Sequence, residues 1–184
     1  MQIFVETKKY DAPLNPKEAS KEARALLSRM LADAGLPEGL PVRKDENGRP
    51  YIAPVPDAPR VDFNLSHAGR YVVCALAVAE HADESPRVGV DVEIPHPRVN
   101  KESLARRFFS EGEIRQLEQT AYADSEFLRI WTQKESYLKF VGTGLSGGMK
   151  AADTTDPDAL GVAFSEYPIA DDDSAVLTLC RALS

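Results

Sequence analysis

Two carboxylates stand two residues apart in the segment RVGVDVEI, Asp91 and Glu93. Val88, Val90, Val92 and Ile94 alternate with them, which is the period of a β-strand. Gly89, Asp91 and Glu93 therefore share the face opposite the valines. Two like charges on one strand face repel unless water screens them or a cation lies between them, and aspartate is a poor strand former. A hard divalent ion answers both points, because Mg²⁺ takes one or two carboxylates together with the oxygens of a substrate phosphate. A solvated face answers only the first. A third carboxylate, Glu135, lies in WTQKESYLK, with Lys139 one helical turn further on. Four residues apart, the two share a helix face, where a surface ion pair contributes about 0.3–0.5 kcal/mol. Beside Asp91 and Glu93 the same two groups read as a further metal ligand and a cation for a departing phosphate.

FNLSHAG adds a hydroxyl and an imidazole, Ser66 and His67, at the end of a strand and just before a glycine turn. Such groups, with nearby backbone N–H, can receive a phosphate. Arg49 in NGRPY is another phosphate candidate. An ordinary turn contains the same residues. The sequence fixes no acid beside Ser66 and His67, so a serine–histidine–acid triad is not indicated. Ser110 and Glu113 form the capping box Ser-x-x-Glu that starts a helix. Trp131 reads as core, and Asn64 as the anchor of a turn.

Several elements must position these groups. MQIFVET is a predicted strand, and NPKEASKEARALLSRMLADAG a helix with Pro16 at its start and Gly35 at its end. Its residues Ala23, Leu26, Leu27, Met30 and Leu31 form one apolar stripe. A turn-rich segment, RKDENGRPYIAPVPDAP, precedes the strands VDFNLSHAG, RYVVCALAVAE and RVGVDVEI. Three helices follow, KESLARRFF, SEGEIRQLEQ and SEFLRIWTQKESYLKFV, the last ended by GTGLSGG. Two strands are predicted near residues 162–164 and 175–181. The order is that of an α+β protein rather than a regular βαβ alternation. The similar strands YVVCALA and AVLTLCRA, one in each half, hint at a doubled architecture.

With 184 residues, 43% apolar and 28% charged, the chain suits one domain or two small lobes sharing a core. A net charge of −7 argues against nucleic acid as partner. MQIFVETKKY is not a signal peptide, and no run reaches the roughly 20 apolar residues of a membrane span, so the expectation is a cytoplasmic protein with no membrane partner. Cys74 and Cys180 lie in apolar strands without metal-ligand spacing and read as buried free thiols.

Together these segments resemble the 4′-phosphopantetheinyl transferases, in particular the surfactin-synthetase-activating class. FNLSHAG is similar to the family's Asn-x-Ser-His motif, VGVDVE to Gly-x-Asp-x-Glu, and WTQKESYLK to Trp-x-x-Lys-Glu-x-x-x-Lys. The GRPY turn and the RFFSEGE segment match as well, and the resemblance runs from about Arg43 to Ser146. Any one of these motifs is weak; three in order are specific.

The resemblance implies a monomer of two pseudo-repeated α/β lobes, residues 1–95 and 96–184, with the active site between them. It implies transfer of the phosphopantetheine arm of coenzyme A to a serine of an acyl or peptidyl carrier protein, releasing adenosine 3′,5′-bisphosphate. Carried over, Asp91, Glu93 and Glu135 would hold Mg²⁺, with Mn²⁺ as the alternative ion. Arg49, Ser66 and His67 would contact phosphates. Lys139 would meet the leaving bisphosphate, and Lys134 would add positive potential. Glu113 falls where the family carries a candidate general base, so base and helix cap compete for it. Lys21 and Arg24 lie near the first helix, where the family keeps basic residues for the 3′-phosphate. Arg106, Arg107 and Arg115, beside Phe108 and Phe109, are expected to meet the acidic helix of the carrier. Two other readings remain: a non-catalytic module of the same fold that binds coenzyme A or carrier, and a Mg²⁺-dependent phosphohydrolase.

Overall fold

The computed structural model describes residues 1–144 and 148–183. The chain starts with β1 (Gln2–Lys9) and α1 (Pro16–Asp33), followed by a short hairpin of β2 (Val42–Lys44) and β3 (Pro50–Ile52) inside the turn-rich segment. Next come β4 (Val61–Ala68), β5 (Tyr71–Val78) and β6 (Val88–Glu93). Helices α2 (Lys101–Phe108), α3 (Glu111–Gln119) and α4 (Asp124–Val141) follow, and β7 (Val162–Tyr167) and β8 (Val176–Ala182) close the fold. This is the expected α+β order. Of GTGLSGG, residues 145–147, and with them the far end of the resemblance at Ser146, lie outside the described residues.

Two antiparallel three-stranded sheets carry the molecule, one ordered β1-β5-β4 and the other β6-β8-β7. β6, which the expected division after residue 95 places in the first half, is hydrogen-bonded to β8 of the second. Helix α1 begins at a capping box. The Asn15 side chain accepts from the N–H groups of Lys17 and Glu18, and Glu18 accepts in return from Asn15 N–H. Pro16 occupies its first turn, where a missing N–H costs nothing. Its stripe, extended to Ala19, packs on Phe63, Val72, Cys74 and Leu76. The other face of β5, Tyr71, Val73, Ala75 and Ala77, packs against Val88, Val90 and Val92 of β6 and Leu177 and Leu179 of β8. Both faces of β5 are thus buried, which explains why YVVCALAV is apolar throughout instead of alternating.

A third core joins the helices. Phe109 and Trp131 each stack on Phe127, and Phe108 meets the Trp131 ring edge-on. Trp131 is half-buried and packs against this core from its edge. Cys74 and Cys180 are free and buried. Among the described residues, no helix is long and apolar enough to cross a membrane.

Candidate active site

The site begins with a residue that has no side chain. A Cβ at Gly89 would lie 2.0 Å from the Ser136 carbonyl oxygen and 2.6 Å from the Phe140 nitrogen. Only glycine lets α4 lie backbone to backbone on β6. The next residues on that strand face, Asp91 and Glu93, are thereby set against the helix that carries Glu135 and Lys139. The face assignment predicted from the alternation holds: the valines enter the core and the carboxylates turn to α4.

Lys139 Nζ lies 2.6 Å from Asp91 Oδ1, 3.0 Å from Ser66 Oγ and 3.1 Å from the Val90 carbonyl oxygen. Ser66 donates to the same Asp91 oxygen at 2.8 Å. The second carboxylate oxygen, Oδ2, is buried and has no hydrogen-bond partner among the described residues. Glu93 and Glu135 stand half-buried beside this group. Burial first, then repulsion from Asp91, pushes each of their carboxyl groups up to about 7. Among the described residues no three histidine, cysteine or acidic groups are drawn together closely enough to form a ready-made metal cage. The cluster is nevertheless short of positive charge. Among the described residues it holds one ammonium for three carboxylates, and one buried carboxylate oxygen goes unsatisfied. All its donors are hard oxygens. These residues fit a hard divalent cation.

Ser66 and His67 lie on opposite faces of β4, as neighbours on a strand must. Ser66 turns to Asp91, whereas the exposed His67 lines a cavity of about 910 Å³. Arg24, Arg43 and Lys44 also line it, together with Leu27 and Phe63. Arg24 is thus placed at this cavity; Lys21 is not among its lining residues.

The structure gives the settings of four more of these residues. Arg49 is not free for a phosphate. It makes a buried two-pronged pair with Asp62 at 2.8 and 2.6 Å, and also donates to the carbonyls of Lys139 and Val88. Lys134 does not face a ligand either, because it is fully buried, bonded to both Glu113 oxygens at 2.9 and 2.7 Å and to the Ala152 carbonyl. Burial holds the Lys134 ammonium below its ordinary range while Glu113 pulls the other way. Glu113 completes its capping box with Ser110 and also accepts from the N–H and hydroxyl of Thr154. Fully buried and bonded at both oxygens, it has no open position for a substrate hydroxyl. Asn64, read as a turn anchor, lies buried inside β4.

Asp62 escaped the sequence reading. Its signal was the period-two run Asp62, Asn64, Ser66, three polar residues on one face of a buried strand. Thr154 left no signal at all. Arg106 and Arg115 are exposed and paired only loosely within their helices, at 4.0 and 3.9 Å, and Arg107 lies over the Phe108 ring.

A helix-backed strand presenting acidic residues to a lysine, beside a basic cavity, suits a protein that handles phosphate esters. A family model described as the 4′-phosphopantetheinyl transferase superfamily matches residues 87–179, just over half of the chain. The chain is 38% identical over 155 residues to the 4′-phosphopantetheinyl transferase AcpT of Salmonella typhimurium, covering 83% of this chain and 73% of that one. It is 40% identical over 107 residues to the 4′-phosphopantetheinyl transferase Sfp of Bacillus subtilis, covering 55% of this chain and 41% of that one. A further 4′-phosphopantetheinyl transferase of Bacillus subtilis is 37% identical over 113 residues, covering 60% of this chain and 45% of that one. The chain spans less than half the length of these Bacillus relatives. The chain belongs to the 4′-phosphopantetheinyl transferase superfamily.

Proposed function

We propose that the protein transfers the 4′-phosphopantetheine arm of coenzyme A to a serine of an apo carrier protein, releasing adenosine 3′,5′-bisphosphate. One observation carries this reading. Asp91 sits buried between Ser66 and Lys139 with one oxygen unbonded among the described residues, flanked by two more carboxylates. A surface ion pair has no need of that arrangement, and a pure binding module gains nothing from three repelling acids.

In the proposed reaction the serine Oγ bonds to the β-phosphorus of coenzyme A. The bond from that phosphorus to the bridging oxygen breaks, and the bisphosphate leaves with the oxygen. Asp91, Glu93 and Glu135 would hold Mg²⁺, or Mn²⁺ in its place, which when bound neutralises pyrophosphate charge. The Lys139 ammonium stabilises the charge that grows on the leaving bisphosphate. Ser66 holds Asp91 and Lys139 in register. With both Glu113 oxygens engaged, we assign the serine proton to a carboxylate oxygen of Glu135. The cavity lined by Arg24, Arg43, Lys44 and His67 supports a place for the 3′-phosphoadenosine half.

We further propose the two-lobed architecture of the surfactin-synthetase-activating class. Two three-stranded sheets, each with one long helix, support it, with the division before Val88 because β6 pairs with β8. Ser66 from one sheet meets Asp91 from the other within one chain, so the reading is a monomer. The carrier's acidic helix would meet Arg106, Arg107 and Arg115, and the cytoplasm, where coenzyme A is held, would be the place of action. Incubation with coenzyme A, Mg²⁺ and an apo carrier, followed by intact-mass spectrometry, tests this. A phosphopantetheine mass gain on the carrier is expected. Binding without gain would make the protein a module, and breakdown of coenzyme A without gain a hydrolase.

A further inference from the structure

β6 has two edges. One is hydrogen-bonded to β8; no strand pairs with the other among the described residues. An open edge in the interior leaves N–H and C=O groups whose burial without partners is costly. Here side chains take the place of a strand. Asp62 Oδ2 accepts from Val88 N–H at 2.9 Å, Asn64 Oδ1 from Val90 N–H at 2.9 Å, and Ser66 Oγ lies 3.4 Å from Val92 N. Arg49 donates to the Val88 carbonyl at 2.9 Å and Lys139 to the Val90 carbonyl at 3.1 Å. The three acceptors are alternate residues of β4, and the three N–H groups belong to alternate residues of β6. The two periods match, rung for rung.

We propose that Asp62, Asn64 and Ser66 form a side-chain ladder that sets the height of β6 against β4, and that Asn64, its middle rung, is a positioning residue for the carboxylate site. Asn64 holds Val90, the residue immediately before Asp91. At this height Asp91 Oδ1 meets both Ser66 and Lys139. The consequence for turnover rests on the function proposed above; the ladder itself does not.

The test is amide hydrogen exchange by NMR, with Mn²⁺ binding by electron paramagnetic resonance and steady-state turnover alongside. In Asn64→Ala the Val90 amide should exchange about tenfold faster or more, while that of Val73 in β5 keeps its protection. Mn²⁺ affinity should fall about tenfold or more, as when a group that orients a metal ligand is lost. In turnover kcat should fall more than KM for coenzyme A moves. Asn64→Asp, which keeps an oxygen at the same reach, should recover Val90 protection. If Asn64→Ala does not fold, Asn64→Ser, whose hydroxyl stops short of Val90, serves instead. Unchanged Val90 exchange, or equal loss at Val73 and Val90, overturns the ladder. So does unchanged Mn²⁺ affinity in a variant whose wild type binds the ion. A wild type that transfers nothing and binds no Mn²⁺, yet loses Val90 protection on substitution, overturns the functional reading and leaves the ladder standing.

Discussion

Helix α4 carries two lysines five residues apart, and each meets a carboxylate, yet the two pairs differ in kind. Lys134 and Glu113 are sealed from solvent, and every charged oxygen is bonded. Lys139 is about a third exposed, and its partner Asp91 keeps one oxygen unbonded among the described residues. A saturated pair holds structure. An unsaturated one, with neighbours of its own sign, has capacity left for a ligand. The difference lies not in the residue types but in how many donors the surrounding backbone supplies.

The comparison breaks first at the sealed pair. Lys134→Met leaves the Glu113 charge buried without its partner and should cost about 3–5 kcal/mol of stability in denaturant unfolding. Adding Glu113→Gln should return a large part of that loss, since Gln also serves in a capping box. If Lys134→Met folds with wild-type stability but loses turnover, the pair belongs to the site after all.

At the open pair the loss should fall on rate. Lys139→Ala should lower kcat about 10²–10³-fold, the effect of removing one donor that stabilises developing charge. Stability should change far less than in Lys134→Met. Wild-type turnover in this variant would end the assignment of Lys139.

The half-buried acids give the comparison a pH dependence. Glu93 and Glu135 have folded values of about 7 against 4.5 in an ordinary setting. Between those values the folded state holds more protons than the unfolded one, so the metal-free protein loses stability as pH rises from about 4.5 through about 7. In thermal melts, Glu93→Gln with Glu135→Gln should flatten this decline. Mg²⁺ should stabilise the wild type at pH 8 far more than at pH 5, where protonated acids bind it poorly. Equal Mg²⁺ stabilisation at both pH values would place the ion elsewhere.

The smallest effect is expected on the surface. Arg107→Glu or Arg115→Glu should raise KM for the carrier more than for coenzyme A. The change should fade with salt, because exposed charges further apart than about 10 Å are screened at 0.1 M. A shift of equal size for both substrates would make these arginines an ordinary solvated face.

Much of the site was legible because its spacing is local. Asp91 and Glu93 share a strand face, and Glu135 and Lys139 a helix face, so periodicity alone put them side by side. What the sequence hid was the partner each charge takes from far along the chain. Arg49 looked free because Asp62 lies 13 residues away on another strand. Lys134 looked free because Glu113 lies 21 residues away on another helix. The Ser110–Glu113 cap was readable from its own spacing, but the donors of Thr154, 41 residues on, were not. No local rule counts donors that arrive from a distant loop, and that count separates a structural acid from a candidate reactive one. The same applies to the sheets: apolar strands were recognisable, yet which edge β6 offers to β8 depends on tertiary packing.

The strand buried on both faces has a consequence for how the chain can be divided. β5 forms the floor of one core with α1 and of the other with β6 and β8. The stretch that matches the family model, residues 87–179, begins after β5 and so carries only one wall of its own core. Produced alone, it would expose Val88, Val90, Leu177 and Leu179 and associate with itself. Cut between Val78 and Arg87 and supplied with the missing half, it would have its lost wall back. The break falls in a surface connection, so such a severed protein should reassemble from two separate pieces, each acting as the other's folding template.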